Sequence, residues 1–347
     1  MLWALRRYTT RRLNVLTDRL HTVPLMVLMP HGGCNARCLM CDIWKANAEA
    51  RTLSVDQIRS LLPDLKRLGT ERVVLSGGEA LMHPNLFTMT QLLRDLGIRI
   101  TLLSTGLSLE RYADQVAEQM DEVTVSLDGT PALHDQIRNI PRAYERLAAG
   151  VRAVRSKSAK VRITGRTVVQ RINFRALPEI IDTARAAGLD QISFLPVDAS
   201  SQAFNRLVVW SDDRSQDVVI PAAELDDLHT VLEETLASHF GDFASGFVAE
   251  SPAKWRNIGQ YFSAIHRRAE FPKVNCNAPW VSAVIESDGA VRPCFFLPAY
   301  GSLEGGAVEA VLNAKAAIDY RKALDVEAEP TCQRCVCALS IGPGHPL

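Results

Sequence analysis

The sequence predicts an α/β fold: a partial (β/α)6 barrel followed by a small C-terminal α+β domain. Three observations carry this. Six apolar, strand-like runs at residues 23–29, 72–77, 98–105, 122–129, 160–169 and 191–197 alternate with helical patterns. These runs are rich in Val, Ile, Leu and Thr and mostly lack strict alternation, as strands buried on both faces of a parallel sheet do. Near the C-terminus the pattern changes, and Asp288-Gly289 between apolar alternations marks a hairpin. Short β-to-α links imply right-handed parallel crossovers. Six units are too few for a closed eight-fold barrel, so a partial barrel or an open curved sheet is expected. In either, ligands gather at the C-terminal ends of the strands.

Residues 1–22 form a basic helical segment, interrupted by arginines in a way no signal peptide is. Leu2, Trp3, Leu5 and Leu13 give it partial apolar material. An interfacial helix is one reading; a surface helix packed across the body is the simpler one and is preferred. The barrel is assigned to residues 23–215. Its first helix starts on a Ser54 cap and stops at Gly69, with a kink expected at Pro63; later helices stop at Gly97 and Gly188. Residues 216–275 read as a helical connector, preceded by the polar stretch 210–217. The last domain covers 276–347, with a helix near 308–325 before Cys-Gln-Arg-Cys-Val-Cys at 332–337.

Lys+Arg and Asp+Glu both number 39 in 347 residues, so the formal net charge is zero and there is no basic footprint for nucleic acid. The longest apolar run near the start, Val23 to Pro30, is strand-sized, and no transmembrane segment is expected. The chain reads as cytoplasmic. Its eight cysteines then point to metal or redox chemistry rather than structural disulfides.

Three of them, Cys34, Cys38 and Cys41, follow the first strand in a loop with Gly32, Gly33 and Asn35. A closed zinc site needs four ligands. A 4Fe–4S cubane normally takes four thiolates, so three leave one iron open to a substrate or cofactor. The second strand ends in Gly77, Gly78 and Glu79: two glycines that admit close backbone approach, then a carboxylate. The third ends in Ser104-Thr105-Gly106, and the fourth in Ser126-Leu127-Asp128-Gly129 with Arg138 further on.

The Cys-x3-Cys-x2-Cys loop and the Gly-Gly-Glu resemble the radical S-adenosylmethionine (SAM) superfamily. The resemblance implies a cluster on Cys34, Cys38 and Cys41 whose open iron chelates SAM. One electron then cleaves SAM to methionine and a 5′-deoxyadenosyl radical, which abstracts hydrogen from substrate. It also implies roles. Gly77, Gly78 and Glu79 meet the SAM amino group, Ser126 is a polar contact, Arg138 faces the SAM carboxylate, and Leu195 lines adenine. Asp128 reads equally as a turn cap. The chain departs from the family pattern at Ala80, Asn139 and Met40, where relatives often carry Pro, Gly and an aromatic.

Five cysteines remain. Cys276, twelve residues, Gly289, four residues and Cys294 resemble the SPASM and twitch auxiliary domains, and Cys332 and Cys335 supply two more thiolates. The resemblance implies one closed auxiliary 4Fe–4S cluster; a zinc ribbon is the alternative, and Cys337 is a spare or a substitute for Cys335. The expected architecture is thus a radical SAM barrel with a small auxiliary-cluster domain.

The resemblance leaves the substrate open. Only 33 residues precede Cys34, fewer than a leader-peptide recognition domain needs, which favours oxidation or rearrangement of a small natural-product or lipid intermediate. A peptide-modifying maturase is the alternative, and an iron–sulfur electron carrier or sensor the non-enzymatic one. A flavodoxin- or ferredoxin-type reductant is implied. Asp198, Asn205 and Arg206 are candidate substrate contacts, while a catalytic base cannot be named from the sequence.

Overall fold

The computed structural model describes residues 2–203, 208–303 and 307–345. Asn205 and Arg206 lie outside the described residues, as do the side chains of Leu2 and Trp3. Six parallel strands follow the sequence expectation: β1 (Leu25–His31), β2 (Arg72–Gly77), β3 (Arg99–Ser104), β4 (Glu122–Ser126), β5 (Arg162–Val169) and β6 (Gln191–Pro196). Three more, β7 (Ser282–Ile285), β8 (Ala290–Arg292) and β9 (Gly301–Ser302), join them in one nine-stranded sheet of order β6-β5-β4-β3-β2-β1-β7-β8-β9. β7 runs parallel to β1, with Val27 opposite Val284, so the late hairpin extends the barrel sheet. The hairpin signal at Asp288-Gly289 marked the β7–β8 turn but said nothing of the β1–β7 pairing.

Each strand shows one set of side chains to the helices. Met26, Leu28, Val73, Leu75, Ile100, Leu102, Val123, Val125 and Ile163 are all at most 1% exposed. The partly exposed alternate positions face the inside of the curved sheet. Helix α1 (Leu2–Thr17) precedes the sheet, and α2 (Val55–Arg67), α3 (Leu86–Arg94), α4 (Ala113–Gln119), α5 (Pro131–Arg138), α6 (Ala143–Lys157) and α7 (Leu177–Ala186) link its strands. Ser54 opens α2 with a full capping box: Gln57 N donates to Ser54 Oγ at 3.1 Å and Ser54 N to Gln57 Oε1 at 2.7 Å. α2 runs through Pro63, which is exposed, so the carbonyl that it deprives of a partner faces solvent. The late helix is two, Val308–Leu312 and Lys315–Ala323. Asn313 leaves the helix between them to bond the backbone of Leu20 in both directions, at 2.7 and 3.0 Å.

After β6 the chain makes α8 (Asp212–Ser215), α9 (Leu225–Ser238), α10 (Phe240–Ser245) and α11 (Pro252–Ile265). Trp255 of α11 is fully buried, donates to Leu232 O at 3.0 Å, and packs edge-on against Phe194 of β6 and Phe243 of α10. The connector is therefore core. Trp255→Ala removes that contact set, and urea unfolding should show a loss of about 3–5 kcal/mol. A loss below about 1 kcal/mol would mean that the connector contributes little to the barrel.

Candidate functional site

The site assembles at the C-terminal ends of β1 to β4. Its first part is the loop that carries Cys34, Cys38 and Cys41. Glu79 N donates to Gly33 O at 2.9 Å and Gly78 N to His31 O at 3.2 Å, so the β2 end is bonded to the cysteine loop by backbone alone. The approach is too close for any side chain: a Cβ on Gly78 would lie 1.9 Å from Gly33 O, and Gly77 has φ +105°. Asn47 holds Cys34 from the other side, donating to its carbonyl and accepting from its N–H, both at 2.9 Å.

Glu79 is fully buried. Its carboxylate accepts from Thr105 N and Thr105 Oγ1 at 2.7 Å each, and from Leu81 N and Ser104 Oγ at 3.1 Å. Burial pushes its carboxyl above the usual range, and the Thr105 and Leu81 donors oppose that. Here the carboxylate ties the β2 end to the β3 end and sets the backbone of Gly77 and Gly78. Thr105 Oγ1 also lies 3.0 Å from Asn35 Oδ1, which brings the cysteine loop into the same network.

Arg138 ends α5. Its buried guanidinium pairs with Asp128, itself fully buried, and donates to Cys38 Sγ at 3.4 Å. Arg37 N and Leu39 N donate to the carbonyls of Arg138 and Ile137 at 3.1 and 3.0 Å. Asp128 is therefore more than a turn cap: it also accepts from Val168 N at 2.8 Å, joining β4 to β5. Burial pushes the His134 imidazole down to about 3, with Arg138 adding to the effect, so it is neutral beside this pair.

Sequence reading missed one clamp. The polar stretch before the connector folds back: Trp210 Nε1 donates to Asp42 Oδ2 at 2.6 Å, and Arg214 stacks on Trp210 and donates to Leu39 O. The alternation of Trp and charged residues gave no periodic signal to read. Ser126 and Leu195 stand partly exposed on β4 and β6, opposite Arg166 and Val168 of β5 in register.

The late cysteines converge although they come from three segments. Burial, with Cys294 and Cys276 nearby, pushes the Cys332 thiol up to about 12. Burial raises Cys335 too, and Cys337, Cys276 and Cys294 add to it. Cys337 N also donates to Cys335 Sγ at 3.4 Å, and the Cys337 thiol is the exposed one of the five.

Both thiol sets suit iron–sulfur clusters. Burial, then the Glu79 charge and the other two thiols, push Cys34 up to about 12, a group that ionises only against added positive charge such as bound irons. Among the described residues, no three of His, Cys, Asp and Glu lie close enough to hold a single metal ion. Between the two sets lies a cavity of about 700 Å³, bordered by Gly77 and Gly78, by Arg51, and by Arg292, Phe295 and Phe296 of the late hairpin.

The radical SAM superfamily model matches residues 28–184, and the SPASM iron–sulfur cluster-binding domain model matches residues 276–336. An AdoMet-dependent heme synthase from Methanosarcina barkeri is 29% identical over 45% of this chain and 45% of its own length. A pre-heme d1 synthase from Dinoroseobacter shibae is 32% identical over 46% of this chain and 39% of its own length. The chain thus spans less than half the length of these relatives. Streptococcus suis SuiB bound to S-adenosylmethionine shares the fold, with a TM-score of 0.63 at 14% identity over 96% of this chain and 78% of SuiB. The two matched domains imply a 4Fe–4S cluster with SAM and an auxiliary iron–sulfur cluster. The chain carries a radical SAM domain over residues 28–184 and a SPASM iron–sulfur cluster-binding domain over residues 276–336.

Proposed function

We propose that this chain is a radical SAM enzyme of the cytoplasm that oxidises or rearranges a small organic molecule held between its two thiol sets. The cavity of about 700 Å³ carries the reading, since small-molecule sites run from about 300 to 1,000 Å³. One wall is the Gly77-Gly78 backbone. The facing wall is the pair Phe295 and Phe296, ring centroids 5.6 Å apart, next in sequence to Cys294. A substrate there borders both centres. The rings give an apolar surface that excludes water, and the rest of the lining carries both signs of charge, with Arg51 and Arg292 beside Glu49, Glu286 and Asp288. Arg292 stays paired to Glu286 at 2.9 Å, which fixes its position. The relatives named for heme and pre-heme d1 synthesis support a small molecule over a peptide.

When bound, the first cluster and SAM supply reductive SAM cleavage and hydrogen-atom abstraction, and the auxiliary cluster supplies a second redox centre. The chain supplies placement. Cys34, Cys38 and Cys41 would hold the first cluster, and Cys276, Cys294, Cys332 and Cys335 the second. Gly77 and Gly78 offer backbone to the SAM amino group, with Glu79 fixing their position. Glu79, Ser126, Arg138 and Leu195 are the proposed side-chain contacts to SAM. Arg138 steadies Cys38. A flavodoxin- or ferredoxin-type donor brings the electron.

The direct test is anaerobic: with dithionite, the reconstituted protein should release 5′-deoxyadenosine and methionine, and no release would sink the proposal. Iron analysis should find about eight irons per chain, and about half that after Cys34, Cys38 and Cys41 are all replaced by alanine. Cys337→Ala should keep full iron, because the four less exposed thiols suffice; loss of half the iron would make Cys337 a ligand. Glu79→Ala should weaken SAM binding roughly ten- to hundred-fold by calorimetry, the worth of charge-assisted hydrogen bonds of about 1.5–3 kcal/mol. Unchanged affinity would separate Glu79 from the placement of the Gly-Gly backbone.

A further inference from the structure

Helix α1 is amphipathic in the reverse of the usual sense. Its inward seam, at positions 7, 11, 14 and 18, is polar. Arg7 and Arg11 both pair with Glu71, at 2.9 and 3.0 Å. Asn14 donates to the carbonyls of Thr22 and Trp280 at 2.7 Å each, and Asp18 accepts from Trp280 Nε1 at 2.8 Å. The apolar side chains point outward. Leu5, Tyr8, Leu13, Val15 and Leu16 are five of the nine large hydrophobics that stand exposed among the described residues, with Leu5 at 61% and Leu16 at 73%. Exposed apolar side chains scattered singly need no explanation; five on one face of one helix do.

The charge around that face is of one sign. Arg6 and Arg12 stand exposed on it, and no acidic residue occurs from Met1 to Thr17. Beside it lies a cavity of about 420 Å³ whose lining includes Arg6, His21, Lys66 and Arg99, together with Arg7 and Arg67, which are paired to Glu71 and to Asp64 and Glu309 respectively. Glu71, the acid in that lining, is already committed to Arg7 and Arg11. The cavity sits where β2 and β3 begin, so it opens at the opposite end of the strands from the cysteine loop.

We propose that the outer face of α1 docks on an anionic lipid bilayer, with its leucines in the interface and the basic cavity against lipid phosphates. An exposed apolar stripe flanked by arginine is what an interfacial helix presents, and a negative surface potential attracts such cations. No helix among the described residues is long and apolar enough to cross a membrane, so contact would be peripheral. The strand ends that carry the thiols would then face away from the lipid, leaving the site open to substrate and reductant.

Vesicle co-sedimentation of the full reconstituted chain tests this. The protein should pellet with vesicles of equal parts phosphatidylcholine and phosphatidylglycerol, less so at high salt, and remain in solution with phosphatidylcholine alone. Leu5→Glu with Leu16→Glu should abolish pelleting. Arg6→Glu with Arg12→Glu should weaken it on the order of thirty-fold or more, since each surface cation contributes about 1 kcal/mol. All four side chains are exposed, so thermal melts should match the native protein. Failure of the native chain to bind anionic vesicles, or equal binding by both double variants, overturns the proposal. So does a native dimer in sedimentation that Leu5→Glu with Leu16→Glu dissolves while no vesicle binding is seen, because that face then seats a second copy.

Discussion

One buried cation organises the site. Arg138 has its guanidinium between the Asp128 carboxylate and Cys38 Sγ, and its carbonyl accepts from Arg37 N. A charge in such surroundings persists only if paired, and removing one partner of a buried pair costs about 3–5 kcal/mol. Asp128 is in turn fixed by Val168 N, so the pair couples β4 and β5 to the cysteine loop that leaves β1. Burial raises the Asp128 carboxyl, and the Arg138 charge opposes that. The loop gains from this a fixed Cys38 and a nearby positive charge.

The rest of the site repeats the same design with other groups. Glu79 joins β2 to β3, Asn47 brackets Cys34, and Trp210 with Arg214 closes over Asp42 and Leu39. Each is a link between loops at the same end of the sheet. The nine-stranded sheet adds the second thiol set, because β7 pairs directly with β1 and its hairpin brings Cys294 beside Phe295 and Phe296. Backbone hydrogen bonds of one sheet therefore relate the two thiol sets, and the cavity between them is part of the fold.

Much of this was legible in the sequence. All six barrel strands were visible because each carries a buried apolar set, and the Ser54 cap and the glycines near the helix ends punctuate them. The thiols were legible because their spacing is itself chemical information. What stayed hidden were partnerships across distance. Arg138 and Asp128 were each singled out, yet nothing in their spacing says that they bond each other rather than a ligand. A strand-end carboxylate such as Glu79 likewise carries no mark of which donors will enclose it, here Thr105, Ser104 and Leu81. The direction of α1 was hidden too: arginines and leucines alternate round the helix, and only the position of Glu71, Thr22 and Trp280 decides which face turns in.

The central claim is that the Asp128–Arg138 pair holds the first thiol set in place. Electron paramagnetic resonance of reduced Arg138→Gln protein, with and without SAM, tests it most directly. The account predicts that the signal of the Cys34, Cys38 and Cys41 cluster weakens and loses its response to SAM, while the auxiliary signal persists in a protein whose circular dichroism remains native. A native-strength signal that still shifts on SAM addition would show that the loop does not depend on Arg138, and would contradict the account.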